Sequence, residues 1–246
     1  MTASAPIRGA VSSLSEALVH GPRREASVAA RTRLGVYLLL DGGTEVLPVL
    51  TRDALLLPTA LRVPLDSATL RWPLEPGQTV AVGAGAVVAP SLRVEAVRTV
   101  RPARVRRAQG RDPLGCAPHT SDSVADLLQL ARLGRGPGLT PEADDELAGH
   151  LLVAWALGAP TPDLEPHLHR TTALSASLLR AAAQGYAVPE VVAYVDAVVG
   201  GDRDAARRLR PRVDAIGHTS GPALLRGIHA FLDLRPTQPS VERTVA

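Results

Sequence analysis

Three turns in the second half of the chain gather the residue types that small-ligand chemistry uses. The first is "GRGPGLTPEADDELAG" (134–149), where Gly136 and Gly138 precede Thr140 and the acid pair Asp144 and Asp145. The second, "TTALS" (171–175), carries Thr172 and Ser175. The third, "IGHTSGPALLRG" (216–227), sets His218 beside Thr219, Ser220 and Gly221. Glycines let a backbone turn sharply and approach a ligand closely. A helix that starts at such a turn offers unpaired N–H groups and a partial positive charge, which suit phosphate or carboxylate. Thr140-Pro141 reads as such a start, with the hydroxyl as cap and proline in the first helical position. His218 stands where it could give a proton or orient a ligand.

The acids complicate that picture. Successive helical residues point about 100° apart, so Asp144 and Asp145 do not form a single catalytic dyad. Beside an anion they repel it, unless a divalent cation such as Mg²⁺ bridges them or they face another part of the ligand. A ligand with an anionic end and NH₂ groups satisfies both features: N–H groups take the anion and a carboxylate accepts from NH₂. The plainer alternative is a capped interhelical loop whose acids simply favour a helix N-terminus.

The elements that must position these residues change character along the chain. Up to about residue 112 the text is β-rich. "RLGVYLLL" (33–40) and "EVLPVL" (45–50) flank the turn "DGGT" as a hairpin. "QTVAVGAGAVVAP" (78–90) reads as a bend or hairpin in a small barrel, and "LRVEAVRTV" (92–100) as a strand. A short amphipathic helix is expected around Val11 to Val19. Beyond about residue 120 the apolar period is helical. Helices are expected over 121–133, 141–157, 171–185, 188–201 and 217–234, with "RDAARRLR" a short piece broken by Pro211. The expected fold is α+β, a small β-barrel or sheet over 1–112 followed by a helical half over 113–246.

Composition narrows the chemistry. The 246 residues contain no lysine, which removes Schiff-base catalysis and a P-loop of the usual form. A single cysteine, Cys116, gives no internal disulfide, and its CxxH spacing to His119 is a weak metal signal. The arginine run Arg98, Arg101, Arg104, Arg106, Arg107 and Arg111 reads as a solvated strand end and linker, with a phosphate-contacting patch as the alternative. Nucleic acid is an unfavoured partner, because net charge is only +3 and aromatics make up 2%. No apolar run reaches the roughly 20 residues of a membrane span. No signal peptide is evident at the start, and a cytoplasmic location is expected.

Taken together, "GxGPGLTPxxDDxLAG", "TTxLSxxLLxxAxxG" and "IGHTSGxxLLxGI" resemble the signature segments of the AllH-like family, across roughly residues 120 to 234. The named member of that family is a subunit of oxamate carbamoyltransferase. The resemblance implies work with other subunits on a ureide such as carbamoyl-oxamate, cleaved by phosphate to oxamate and carbamoyl phosphate. It implies that the helix starts hold an anionic substrate or phosphate, that Asp144 or Asp145 orients NH₂ groups or a metal, and that His218 is the proton donor. The chain departs from the pattern at Glu142-Ala143 and Glu146, which stand where Ser-Gly and an aromatic are expected and add negative charge. A non-catalytic assembly subunit is the other reading.

Overall fold

The computed structural model describes residues 5–108 and 130–233. Eight strands close into a barrel in the first half, in the order β1-β5-β4-β3-β2-β6-β7-β8. They are β1 (Ile7–Ser12), β2 (Arg24–Thr32), β3 (Gly35–Leu40), β4 (Glu45–Leu50), β5 (Leu61–Arg62), β6 (Thr79–Gly83), β7 (Ala86–Ala89) and β8 (Leu92–Val100). The ladders are antiparallel except β1 with β8, which closes the barrel, and β4 with β5. Both expected hairpins form. Gly42 (φ 68°) and Gly43 (φ 94°) turn β3 into β4. Ala84 (φ 50°) and Gly85 (φ 81°) turn β6 into β7, so 78–90 is the hairpin of a small barrel. Alternate side chains of the strands, among them Val36, Leu38, Leu40, Leu47, Val49, Val80 and Val82, fill the interior with the two-residue period of a sheet.

The helix expected around Val11 to Val19 is corrected. Val11 belongs to β1, and only Glu16–His20 is helical, as α1. The β1 backbone is claimed by β8 and β5 on its two sides, and that non-local pairing overrides the local helical pattern.

The second half is α-helical: α2 (Glu142–Leu157), α3 (Ala173–Ala183), α4 (Pro189–Val199), α5 (Arg203–Asp214) and α6 (Ser220–Asp233). Helix α2 is the hub. It buries residues on every side, from Ala143 to Ala156, as a helix enclosed by others must. At its crossing with α6 the backbones nearly touch. A Cβ on Gly227 would lie 1.8 Å from the Glu146 carbonyl oxygen, and one on Gly149 would lie 2.3 Å from that of Leu224. Helix α5 continues through Pro211, contrary to the expected break. Pro211 sits near the exposed end of the helix, where one forgone backbone bond does not end it.

Between the halves, Arg101 to Ala108 runs along the helices. Val105 is buried in their core, its N–H donates to the Gly185 carbonyl (2.8 Å), and Ala108 N–H donates to that of Ala156 (2.8 Å). The arginines here are exposed, as expected of a strand end and linker, and three of them also make contacts. Arg104 lies over the rings of Trp155 (4.3 Å) and Tyr186 (4.7 Å), Arg107 over Trp155 (4.0 Å), and Arg106 pairs with Asp196 (3.1 Å). Most of the expected helix at 121–133, with Arg111, Cys116, His119 and the tail from residue 234, lies outside the described residues. Leu130 and Leu133 are buried in the helical core. No helix among the described residues is long and apolar enough to cross a membrane.

Candidate active site between barrel and helices

The three hydroxyl-rich turns converge. Thr140 Oγ1 and Ser220 Oγ stand 3.4 Å apart, joining the starts of α2 and α6. Thr171 Oγ1 donates to Asp144 Oδ2, and Thr172 Oγ1 to the Leu139 carbonyl, which joins α3 to the same corner. Asp144, 1% exposed, is the knot. Its Oδ1 also accepts from Gly134 N–H at 2.7 Å. Gly134 (φ 78°) must be glycine here, since a Cβ would lie 2.0 Å from the Arg170 carbonyl oxygen. The glycine-rich stretch is therefore held from below by the first acid of the pair.

Asp145 has different surroundings. Its carboxyl borders a cleft of about 360 Å³ together with Thr140 and Ser220, and its buried Oδ2 has no hydrogen-bond partner. Burial is the main cause that pushes its pKa up to about 6, opposed by the Ser220 hydroxyl and reinforced by the Asp144 charge. The opposite wall comes from the barrel: Thr32 and Leu34 at the β2–β3 turn, Tyr37 and Leu50 on β3 and β4, and Leu55 and Leu57 in the loop after β4. That loop is fixed by Arg62, which donates to the carbonyls of Arg52, Ala54 and Leu55, and by Asp53, which accepts from the backbone and hydroxyl of Ser67. The volume falls at the lower end of the ~300–1,000 Å³ typical of ligand pockets, and the lining is mostly apolar with a few convergent polar groups. The barrel wall escapes sequence reasoning, because scattered apolar residues of a distant segment carry no chemical signature.

The remaining expected residues divide by place. Thr172 caps α3, accepting from Ser175 N–H at 3.0 Å; Ser175 is buried and lies outside the cleft lining. His218 and Thr219 are exposed and outside it. Gly221 packs tightly on the end of α5, where a Cβ would lie 2.1 Å from the Val213 carbonyl oxygen. Gly136 (φ 129°) and Gly138 (φ 91°) shape the loop. Thr140 does not cap α2. Pro141 is its N-cap residue, with no side-chain cap bond. The first-turn N–H groups of Ala143, Asp144 and Asp145 are bonded to the carbonyls of Arg135, Pro141 and Pro141. Glu142 pairs with Arg226, and Glu146 with Arg132 (3.1 Å) and Arg226 (3.8 Å), so arginines of the chain offset both added charges.

A barrel and a helical bundle, with a cleft between them that a buried carboxyl lines, define an α+β protein. Residues 132–232 match the family described as oxamate carbamoyltransferase subunit AllH, and the resemblance carried by the three motifs is borne out over that span. No solved structure matches the chain.

Proposed function

We propose that the chain is a subunit of a carbamoyl-transferring enzyme and that the cleft seats the carbamoyl group of its ligand against Asp145. The supporting observation is the Asp145 carboxyl, at the cleft with one buried oxygen unpartnered. A carboxyl that titrates near 6 is suited to general acid catalysis close to neutral pH. In phosphorolysis of a ureide, a phosphate oxygen bonds to the carbamoyl carbon and the bond from that carbon to the leaving nitrogen breaks. Protonated Asp145 supplies the proton that nitrogen needs, and the proton shed by the attacking phosphate restores the acid. The products are carbamoyl phosphate and the amide.

Asp144 positions rather than reacts, since both its oxygens accept hydrogen bonds from Gly134 and Thr171. Among the described residues no group of three or more His, Cys, Asp or Glu stands together to hold a metal ion. Among the described residues the cleft lining has no arginine or histidine, so partner subunits would supply the cations that hold the attacking phosphate. The same feature favours a second reading, an assembly subunit whose exposed Leu55 and Leu56 meet a partner.

The test is carbamoyl phosphate formation by the complex purified with its own partner subunits. Asp145→Asn is expected to lower the rate by a factor of about 100, the lower end of what a general acid contributes. An unchanged rate would favour the assembly role.

A further inference from the structure

Resting on the reading of the cleft as the ligand site, we infer that its ligand is an uncharged carbamoyl or amide compound with an apolar substituent, its NH₂ head on Asp145 and its hydrocarbon part along the leucine walls. Among the described residues that line the cleft, Asp145 is the one charged side chain. The basic residues nearest in sequence face elsewhere. Arg33, next to Leu34, lines a separate surface groove with Arg31 and Arg71. Arg226 is engaged with Glu142 and Glu146. A carboxylate brought into this cleft would lose its hydration, find no cation and face a like charge.

An uncharged carbamoyl head meets none of those penalties. A carboxyl group complements it in either protonation state: ionised, it accepts two N–H bonds; protonated, it donates to the carbonyl and accepts one N–H. The Thr140 and Ser220 hydroxyls, 3.4 Å apart, flank the same point and can donate or accept. From there the walls are apolar on both sides, with Leu152, Leu174 and Leu224 on the helices facing Leu50, Leu55 and Leu57 of the barrel half. The apolar lining continues to the exterior at Leu55 (40% exposed) and Leu139 (37% exposed), so a substituent longer than the cleft has an apolar exit.

The test is calorimetric titration of the full chain with phenylurea, and separately with oxamate, carbamoyl-oxamate and inorganic phosphate. Phenylurea is expected to bind saturably and at least about tenfold tighter than any of the anions, with its affinity cut about tenfold or more in Asp145→Asn. The partly exposed Leu139 gives an independent variant that spares the core. Leu139→Arg is expected to weaken phenylurea and strengthen oxamate. If carbamoyl-oxamate or oxamate binds as tightly as phenylurea and loses affinity in Asp145→Asn, the cleft stands as the site and the uncharged ligand class is overturned. If phenylurea binds with no sensitivity to either variant, it binds elsewhere and the inference fails. If none of the compounds binds, the reading of the cleft as a ligand site fails as well.

Discussion

Asp144 and Asp145 are consecutive, both buried, and differ in what surrounds them: Asp144 accepts hydrogen bonds at both oxygens, from Gly134 and Thr171, whereas Asp145 lines the cleft and keeps its buried Oδ2 without a partner. The helical step of about 100° separates their roles. One ties the glycine-rich loop to two helix starts, and the other lines the cleft. The glycines, prolines and acids crowded between 134 and 149 thus do two jobs at once.

The Asp145 environment makes stability depend on pH. Its ordinary value of 3.8 rises to about 6 in the fold. Between those values the folded chain keeps a proton that the unfolded chain has released, so stability falls as pH rises. This contribution is complete below about pH 4 and lost above about pH 6, and amounts to roughly 1–3 kcal/mol. Urea denaturation at pH 4.5 and 7.5 is expected to show Asp145→Asn losing that much of the wild-type pH dependence. An identical pH dependence in the two proteins would contradict the assigned environment.

Asp144→Ala removes two bonds to a charged acceptor and strands the Gly134 N–H and the Thr171 hydroxyl. Hydrogen bonds to charged groups contribute roughly 1.5–3 kcal/mol each, so a loss of about 3–6 kcal/mol is expected for the two. Thr171→Val, which removes one of the two, is expected to lose less. Amide hydrogen exchange at Gly134 should accelerate in both the Ala and Val variants if the loop is held through this carboxylate.

Gly227→Ala places a methyl 1.8 Å from the Glu146 carbonyl oxygen and forces α2 and α6 apart. The expected cost is about 3 kcal/mol or more, the upper range for an overpacked core. Gly138→Ala is the control. A Cβ there meets nothing within 4 Å, leaving only its positive φ of 91°, so about 1–2 kcal/mol is expected. Thermal denaturation of the two variants separates helix contact from backbone strain, and equal losses would refute the close crossing.

Arg104→Ala should weaken the connection between the halves, because its guanidinium covers Trp155 and Tyr186. At an exposed site each cation–π contact contributes about 0.5–1 kcal/mol. The expected signature is a small stability loss with a change in tryptophan fluorescence. Arg98→Ala is expected to change neither.

How much of this was readable from the residues follows from which interactions are local. The hairpins at 41–43 and 84–85 were legible because turn chemistry is local, and the helical half because its period and glycine stops are. Barrel closure was not. It depends on β1 pairing with β8, about ninety residues away in sequence, and on a two-residue strand at Leu61 that has no periodicity to read. Strand β2, "REASVAART", also passed unnamed, since Arg24, Glu25 and Arg31 within so short a run mask the buried Ala26 and Val28. At the site, hydroxyls, glycines and acids announced themselves. The apolar wall from Tyr37 to Leu57 did not, and neither did the exposure of His218, which tertiary packing decides.

The arginine that balances the added acids gives the last expectation. Glu142 lies close enough to Asp145 to help raise its pKa, and Arg226 pairs with that same Glu142. Arg226→Ala leaves the Glu142 charge uncompensated, so Asp145 should hold its proton to still higher pH. Glu142→Gln removes the charge and should move the titration down. Because the Arg226 pair is partly exposed, both shifts should shrink as salt is added. Carbon-13 titration of the Asp145 carboxyl in the wild type and both variants measures the order directly: Glu142→Gln lowest, wild type between, Arg226→Ala highest. The reverse order, or three superimposed curves, would mean that the Glu142 charge does not reach the cleft, and that the departure from the family pattern at this position leaves the proposed acid untouched.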